Sequence, residues 1–240
     1  MSVGYQKEKM KVAGFTIARN IVKADYPLRE ALLSVLPLCD DFVIAVGDSD
    51  DGTKEYLQAM QEPKIRLFDT IWDDNKRVGG AVLADETNKA LATVPTDADW
   101  LLYIQADECL HERYVPMVRA AMEKYLHDEE VDALLFDYLH FYGNYSMVGD
   151  SRRWYRNEIR IIKNHRNIIS WKDAQGFRTA DAKKLKVAHC GACIYHYGWV
   201  KHPKFQQQKQ ALCHLHIVQP SFRLVDSYRV GINILHVHHF

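Results

Sequence analysis

The chain has 240 residues, 48% of them hydrophobic, and its 31 basic and 31 acidic side chains balance. Zero net charge excludes a broad nucleic-acid-binding face, which needs a basic surface, but leaves room for a local anion site. The apolar share is that of a globular protein with a real core, enough for one large domain or two small ones.

No apolar run approaches the ~20 residues of a membrane span. The opening MSVGYQKEKMK is charged but leads into no apolar segment of the secretory kind. Five cysteines in scattered positions fit a reducing compartment better than a disulfide framework. These features predict a cytoplasmic protein.

In chain order, residues 10–18 read as a buried parallel strand, followed by the loop ARNIVKADY. Residues 28–36 read as a helix with Leu28, Ala31, Leu32 and Val35 on one face, Pro27 near its start and Pro37 at its end. A second strand, 42–46, breaks into the acidic loop GDSDDGT, and 53–60 form a second helix. KIRLFDTIW is a third strand; the loop DDNKRVGG leads into a helix over about 80–92. DWLLYIQADE is the fourth strand, and 113–127 another helix.

This alternation predicts an α/β fold, a mostly parallel central sheet flanked by helices. Ligands in such sheets bind beyond the carboxyl ends of the strands, so Arg19, Asp48 and Asp107 would line one crevice. The second half changes character. VDALLFDYLHFYG, RNEIRIIKN and HCGACIYHYGWV read as strands, rich in aromatics; from about residue 201 the chain starts helical and loses its pattern. There is no internal repeat and no low-complexity segment.

The fourth strand runs into adjacent carboxylates, Asp107 and Glu108. Side by side they repel unless water or a cation lies between them. A divalent cation, magnesium or manganese by its oxygen ligands, would neutralise them. Glu108 would then join the ion through water or serve as a helix-start carboxylate; the alternative without an ion is an exposed strand-to-helix turn with Glu108 at a helix start. Arg77 stands before Gly79 and Gly80 at a helix start, a place where backbone amides attract phosphate, so it is a candidate diphosphate clasp.

VGDSDDGT after the second strand, the Asn- and Ala-rich ETNKALATVPTDADW before the fourth, QADE at its end and the later IYHYGWV, in this order, resemble the family 2 glycosyltransferases of GT-A fold. The resemblance covers roughly residues 10–203. It implies a single GT-A-like, Rossmann-type sandwich domain over 1–240, with a nucleotide-sugar-binding half to about 130, an acceptor-binding half over about 131–203 and a divergent tail over 204–240. It implies metal-assisted, inverting transfer of a sugar from a nucleotide-sugar, a UDP-sugar by preference, to an acceptor hydroxyl. The partners would be that donor and a glycan or lipid-linked acceptor, with peripheral membrane association left open.

The resemblance also assigns residues. Thr16, Ala18 and Arg19 lie against the nucleotide. Asp48, first of the three Asp residues of its turn, accepts the uracil N3–H. Asp107 and His196 hold the metal. Gln105 replaces the first Asp of the family's DxD motif, which alters donor binding. The acceptor's base falls between QADE and IYHYGWV: Asp173 is preferred, with Asp137 and Asp150 in the same interval. Trp154, Tyr155 and Trp171 are candidates for a sugar-stacking wall or for core.

Two other readings compete. A nucleotidyltransferase on a related fold would carry a Gly-rich triphosphate loop near its start, and FTIARNIVKADY has no glycine. A non-enzymatic, zinc-stapled binding module would use Cys190, Cys193, Cys213 and His216.

Overall fold

A computed structural model of the chain describes residues 9–76, 80–152, 154–165, 167–200 and a short strand at 222–224. β1 (Val12–Ala18), β2 (Asp41–Gly47), β3 (Ile65–Thr70) and β4 (Trp100–Tyr103) lie parallel in the order β4-β1-β2-β3. β1 is buried on both faces, as a central parallel strand must be.

Helices α1 (Leu28–Val35) and α4 (Val115–Tyr125) cover one face of the sheet. α2 (Thr53–Gln58) follows the acidic turn after β2. α3 (Ala81–Ala92) covers the other face, where Ala90 packs with Phe15 and Tyr103. Among the described residues no helix is long and apolar enough to cross a membrane.

The second half extends the same sheet with a different pairing. β6 (Ala133–Tyr142) and β8 (Asn157–Lys163) are antiparallel, and β8 pairs antiparallel with β4. The sheet is therefore mixed: a parallel half joined through β8 to an antiparallel one. β7 (Asn144–Gly149) and β12 (Phe222–Leu224) continue it outward. The long β11 (Val187–Trp199) takes the other edge of β6 in parallel and carries β5 (Glu108–Leu110) antiparallel on its far side.

A hairpin of β9 (Ile168–Trp171) and β10 (Gly176–Thr179) packs separately on the α3 face. Phe177 pins it there, edge-on to Phe15 at 6.0 Å and to Tyr103 at 5.6 Å.

The expected long strands and helices are present to within a few residues at their ends. The expected fourth strand is shorter: β4 stops at Tyr103, the chain turns, and Glu108 opens β5 instead of a helix.

Candidate functional site

β5 and β11 pair with His196 opposite Glu108, and the Tyr197 amide donates to the Asp107 carbonyl at 2.7 Å. This register sets the His196 ring beside the Asp107 carboxylate, Nε2 to Oδ2 3.6 Å, both side chains nearly buried.

Behind His196 stands His140 of β6, a residue the sequence reading did not select. Its Nδ1 lies 3.2 Å from His196 Nδ1, and its Nε2 lies 2.8 Å from the Tyr155 carbonyl. Burial, then the neighbouring His196, pushes His140 down to about 3, so it is a neutral imidazole. A carbonyl only accepts, so the single His140 proton sits on Nε2 and its Nδ1 is a lone pair. His196 must then donate from Nδ1. His196 Nε2 then faces the Asp107 carboxylate, a nitrogen and an oxygen donor side by side.

An ion about 2.1 Å from each atom reaches both across the 3.6 Å gap. A ligating histidine normally donates its other N–H to a second partner, as His196 does here. The donor set therefore fits a divalent metal. Among the described residues no group of three His, Cys, Asp or Glu side chains surrounds one ion. Most of its coordination would have to come from phosphate oxygens and water.

Glu108 plays neither expected part. It is fully buried and clamped by Arg160, also buried, through Nε to Oε2 at 2.8 Å and Nη2 to Oε1 at 2.7 Å. The Tyr138 hydroxyl donates to Oε1 at 2.9 Å and the Gln105 amide to Oε2 at 3.1 Å. Burial works against the Arg160 charge, but Glu108 outweighs it and raises the guanidinium well above its usual range. Asp107, in the turn before β5, stands beside His196 while Glu108 locks that turn from beneath.

On the other side of β1, Arg19 Nη2 donates to Asp48 Oδ2 at 3.0 Å and Arg19 Nε to the Asp48 carbonyl at 3.1 Å. The guanidinium lies over the Trp72 ring, 5.3 Å from its centroid, and the Trp72 amide donates to Asp48 Oδ1 at 3.3 Å. The other two acidic residues of this turn are committed elsewhere. Asp51 accepts from the Thr53 amide at 3.0 Å and the Lys23 amide at 2.8 Å, and Asp50 pairs with the Lys23 ammonium.

Thr16 and Ala18 lie near the end of β1. Both are buried, and the Thr16 hydroxyl is spent on the Ile104 carbonyl, tying β1 to the segment after β4. Arg77 lies outside the described residues.

Asp173 sits exposed in the β9–β10 turn. The turn is held on two sides: Gln105 Nε2 donates to the Ala174 carbonyl at 3.2 Å, and Gly80, at the start of α3, packs against Asp173. A Cβ on Gly80 would fall 2.6 Å from that of Asp173, so only glycine fits. Lys172 and Ala174 flank Asp173 at φ 56° and 60°, a left-handed backbone that costs ~1 kcal/mol or more for each. Asp137, by contrast, points away from Tyr138 and His140 on the pleat of β6 and is held by Asn157 at 2.6 Å and His189 at 3.0 Å.

Trp154 and Tyr155 wrap His140, with ring centroids at 4.9 and 4.3 Å, and Trp154 also meets Tyr142 and Trp199. Trp171 is elsewhere, beneath Arg178. Cys190 and Cys193 pack into separate apolar clusters, burial pushes their thiols up to about 11 and about 12, and Cys213 and His216 lie outside the described residues.

His140, Glu158 and Arg160 were legible only as pairs. Period-two spacing puts Tyr138 with His140, and Glu158 with Arg160, on one face of a strand.

No protein-family model and no curated protein matches the sequence. Among solved structures, S. aureus TarS is similar at 19% identity and TM-score 0.42, over 60% of this chain and 23% of that one. Glucosyl-3-phosphoglycerate synthase from Mycobacterium tuberculosis, in complex with Mn2+, UDP and glucosyl-3-phosphoglycerate, is similar at 17% and 0.38, over 56% and 45%. 4-Diphosphocytidyl-2C-methyl-D-erythritolsynthase from Anaerococcus prevotii gives 10% and 0.46, over 85% and 95%. The chain thus spans less than half the length of the first two.

Proposed function

We propose that the chain transfers a sugar from a nucleotide-sugar, UDP-sugars above all, to an acceptor hydroxyl with inversion at the sugar carbon. Asp107 and His196 would hold a divalent cation, manganese or magnesium. The observation that carries this reading is the His140–His196–Asp107 line, which brings His196 Nε2 to 3.6 Å from the Asp107 carboxylate beyond β4. Bound there, the cation would supply positive charge to the departing diphosphate.

The chain's own groups supply the rest. Asp48, fixed by Arg19 and the Trp72 amide, keeps spare lone pairs to accept the uracil N3–H. Gln105 reaches the ribose without adding charge, so the metal binds weakly until a diphosphate arrives. Asp173, on its braced turn, takes the proton of the acceptor hydroxyl as that oxygen attacks. Tyr142, Trp154 and Trp199 form an aromatic side to the acceptor region.

Thermal-shift screening of UDP, GDP and their sugar derivatives, with and without manganese, tests the reading. A ligand that binds only the folded state raises the melting temperature. UDP with manganese should give the largest rise.

A further inference from the structure

The turn that carries Asp107 and the turn that carries Asp173 are fastened to each other. Gln105, just before Asp107, has its backbone pinned by Glu108 at both ends. Its amide donates to Glu108 Oε2 at 3.1 Å, and its carbonyl accepts from the Glu108 amide at 3.1 Å. From that fixed base the side chain crosses to the other turn, where Nε2 donates to the Ala174 carbonyl at 3.2 Å. The next carbonyl, that of Gln175, accepts from Arg160 Nη1 at 2.8 Å, and Arg160 holds Glu108 through its other nitrogens. The Gln175 side chain donates to Glu158 Oε1 at 2.7 Å. Successive carbonyls after Asp173 are thus tied to the turn of Asp107.

Asp173 is exposed, so its place depends on the backbone that carries it. That backbone is left-handed on either side, at Lys172 and Ala174, and an L-residue stays in that conformation only where its surroundings hold it. Ala174 is buried and Gly80 packs against Asp173, while Gln105 and Arg160 supply hydrogen bonds to the carbonyls. The bond from position 105 needs a donor. An ionised Asp or Glu there has no N–H and would set a negative charge against a carbonyl oxygen. Gln spends one N–H on Ala174 and keeps the second, with Oε1, for a ribose.

We propose that Gln105 is a positioning residue for the transfer: its bond to Ala174 holds Asp173 at a fixed distance from the Asp107–His196 pair. This rests on the transferase reading above and extends it, because Gln105 then serves the acceptor side as well as the donor. In the transfer the acceptor oxygen bonds to the sugar carbon, its proton passes to Asp173, and the bond from that carbon to the diphosphate oxygen breaks. All three events need Asp173 in place relative to the donor, and a displacement of ~1 Å can cost ~10²-fold in rate.

The test compares wild type with Gln105→Glu, which keeps the length and loses the donor, and Gln105→Met, which loses the donor without adding charge. Release of UDP from UDP-glucose, UDP-galactose and UDP-N-acetylglucosamine is measured at pH 8 with saturating manganese and donor, water serving as acceptor. Both variants should lose ~10²-fold in kcat. Manganese affinity with UDP present should nevertheless rise in Gln105→Glu, whose added charge lies near Asp107, so the loss does not follow metal binding. Amides of the turn over 172–176 should exchange with solvent ~5–10-fold faster in both variants, read by mass spectrometry, at an unchanged melting temperature. A Gln105→Glu enzyme with the wild-type kcat, or a slow one whose turn exchanges at the wild-type rate, would overturn the inference and leave the transferase reading intact. Wild type that releases no UDP from any of the three sugars would remove that reading, and this inference with it.

Discussion

The Nδ1 atoms of His140 and His196 lie 3.2 Å apart, and only one proton can sit between them. His140 is held neutral and donates from its other nitrogen to Tyr155, so the proton belongs to His196. His140→Phe keeps a ring among Tyr138, Trp154 and Tyr155 but removes the acceptor. Manganese affinity measured with UDP present should fall ~10–100-fold, with the melting temperature little changed. Unchanged affinity would mean that the His140 contact does not orient a metal ligand.

Adjacent residues 107 and 108 should respond to substitution in opposite ways. Glu108→Gln leaves the Arg160 charge buried with a weakened partner and should cost ~3–5 kcal/mol of stability. For a chain of this size that is roughly 10 °C in melting temperature. Asp107→Asn keeps the side chain's shape and the Tyr197 bond to the backbone carbonyl, and should stay within ~1 kcal/mol. Chemical denaturation of both variants decides; equal stabilities would contradict the division of labour.

Of the three acidic residues after β2, Asp48 alone should matter to the nucleotide. Asp48→Ala removes a charged acceptor and should weaken UDP binding ~10–100-fold. Asp50→Ala should leave it near normal, and Asp51→Ala should act on stability through Thr53 and Lys23. Calorimetric titration with UDP separates the three. A wild-type protein that binds GDP but not UDP would sink the base assignment.

Glu158 also sets a dependence of stability on pH. Its folded carboxyl titrates near 7, above the ordinary value of 4.5, so the folded state binds its proton more tightly than the unfolded chain. The stability it contributes is full below about 4.5 and is lost as pH rises through about 7. Relative to Glu158→Gln, which cannot titrate, the wild type should become progressively less stable across that window. Urea denaturation of both proteins at intervals of half a pH unit measures the difference, and a flat difference would show that the carboxyl is not shifted.

Elements with long periodic patterns, such as β1, α1, α3 and β11, were legible because their own residues carry the apolar alternation. β5 was not. A three-residue strand has no period to read, and its partner β11 lies more than eighty residues away. Glu108 was misread for a related reason: sequence adjacency to Asp107 suggested one shared environment, whereas the buried Arg160 that defines its own lies fifty-two positions on. The Asp107–His196 pairing followed from motif order, but the His140 that orients it depends on β6 and β11 being neighbours. Cys190 and Cys193 show the converse. The C-x-x-C spacing suggested one knuckle, yet Gly191, at φ 76°, lies where the register with β6 shifts, and the two thiols enter different clusters.

The most direct test of the account is the coupling between manganese and UDP in wild type and in Asp107→Asn, measured by titration calorimetry in both orders of addition. Coupling free energy is reciprocal, so UDP should raise manganese affinity and manganese should raise UDP affinity by the same factor. The account predicts a strong coupling in the wild type that Asp107→Asn abolishes while the variant stays folded. UDP that binds equally well with manganese or with chelator, in both proteins, would contradict it.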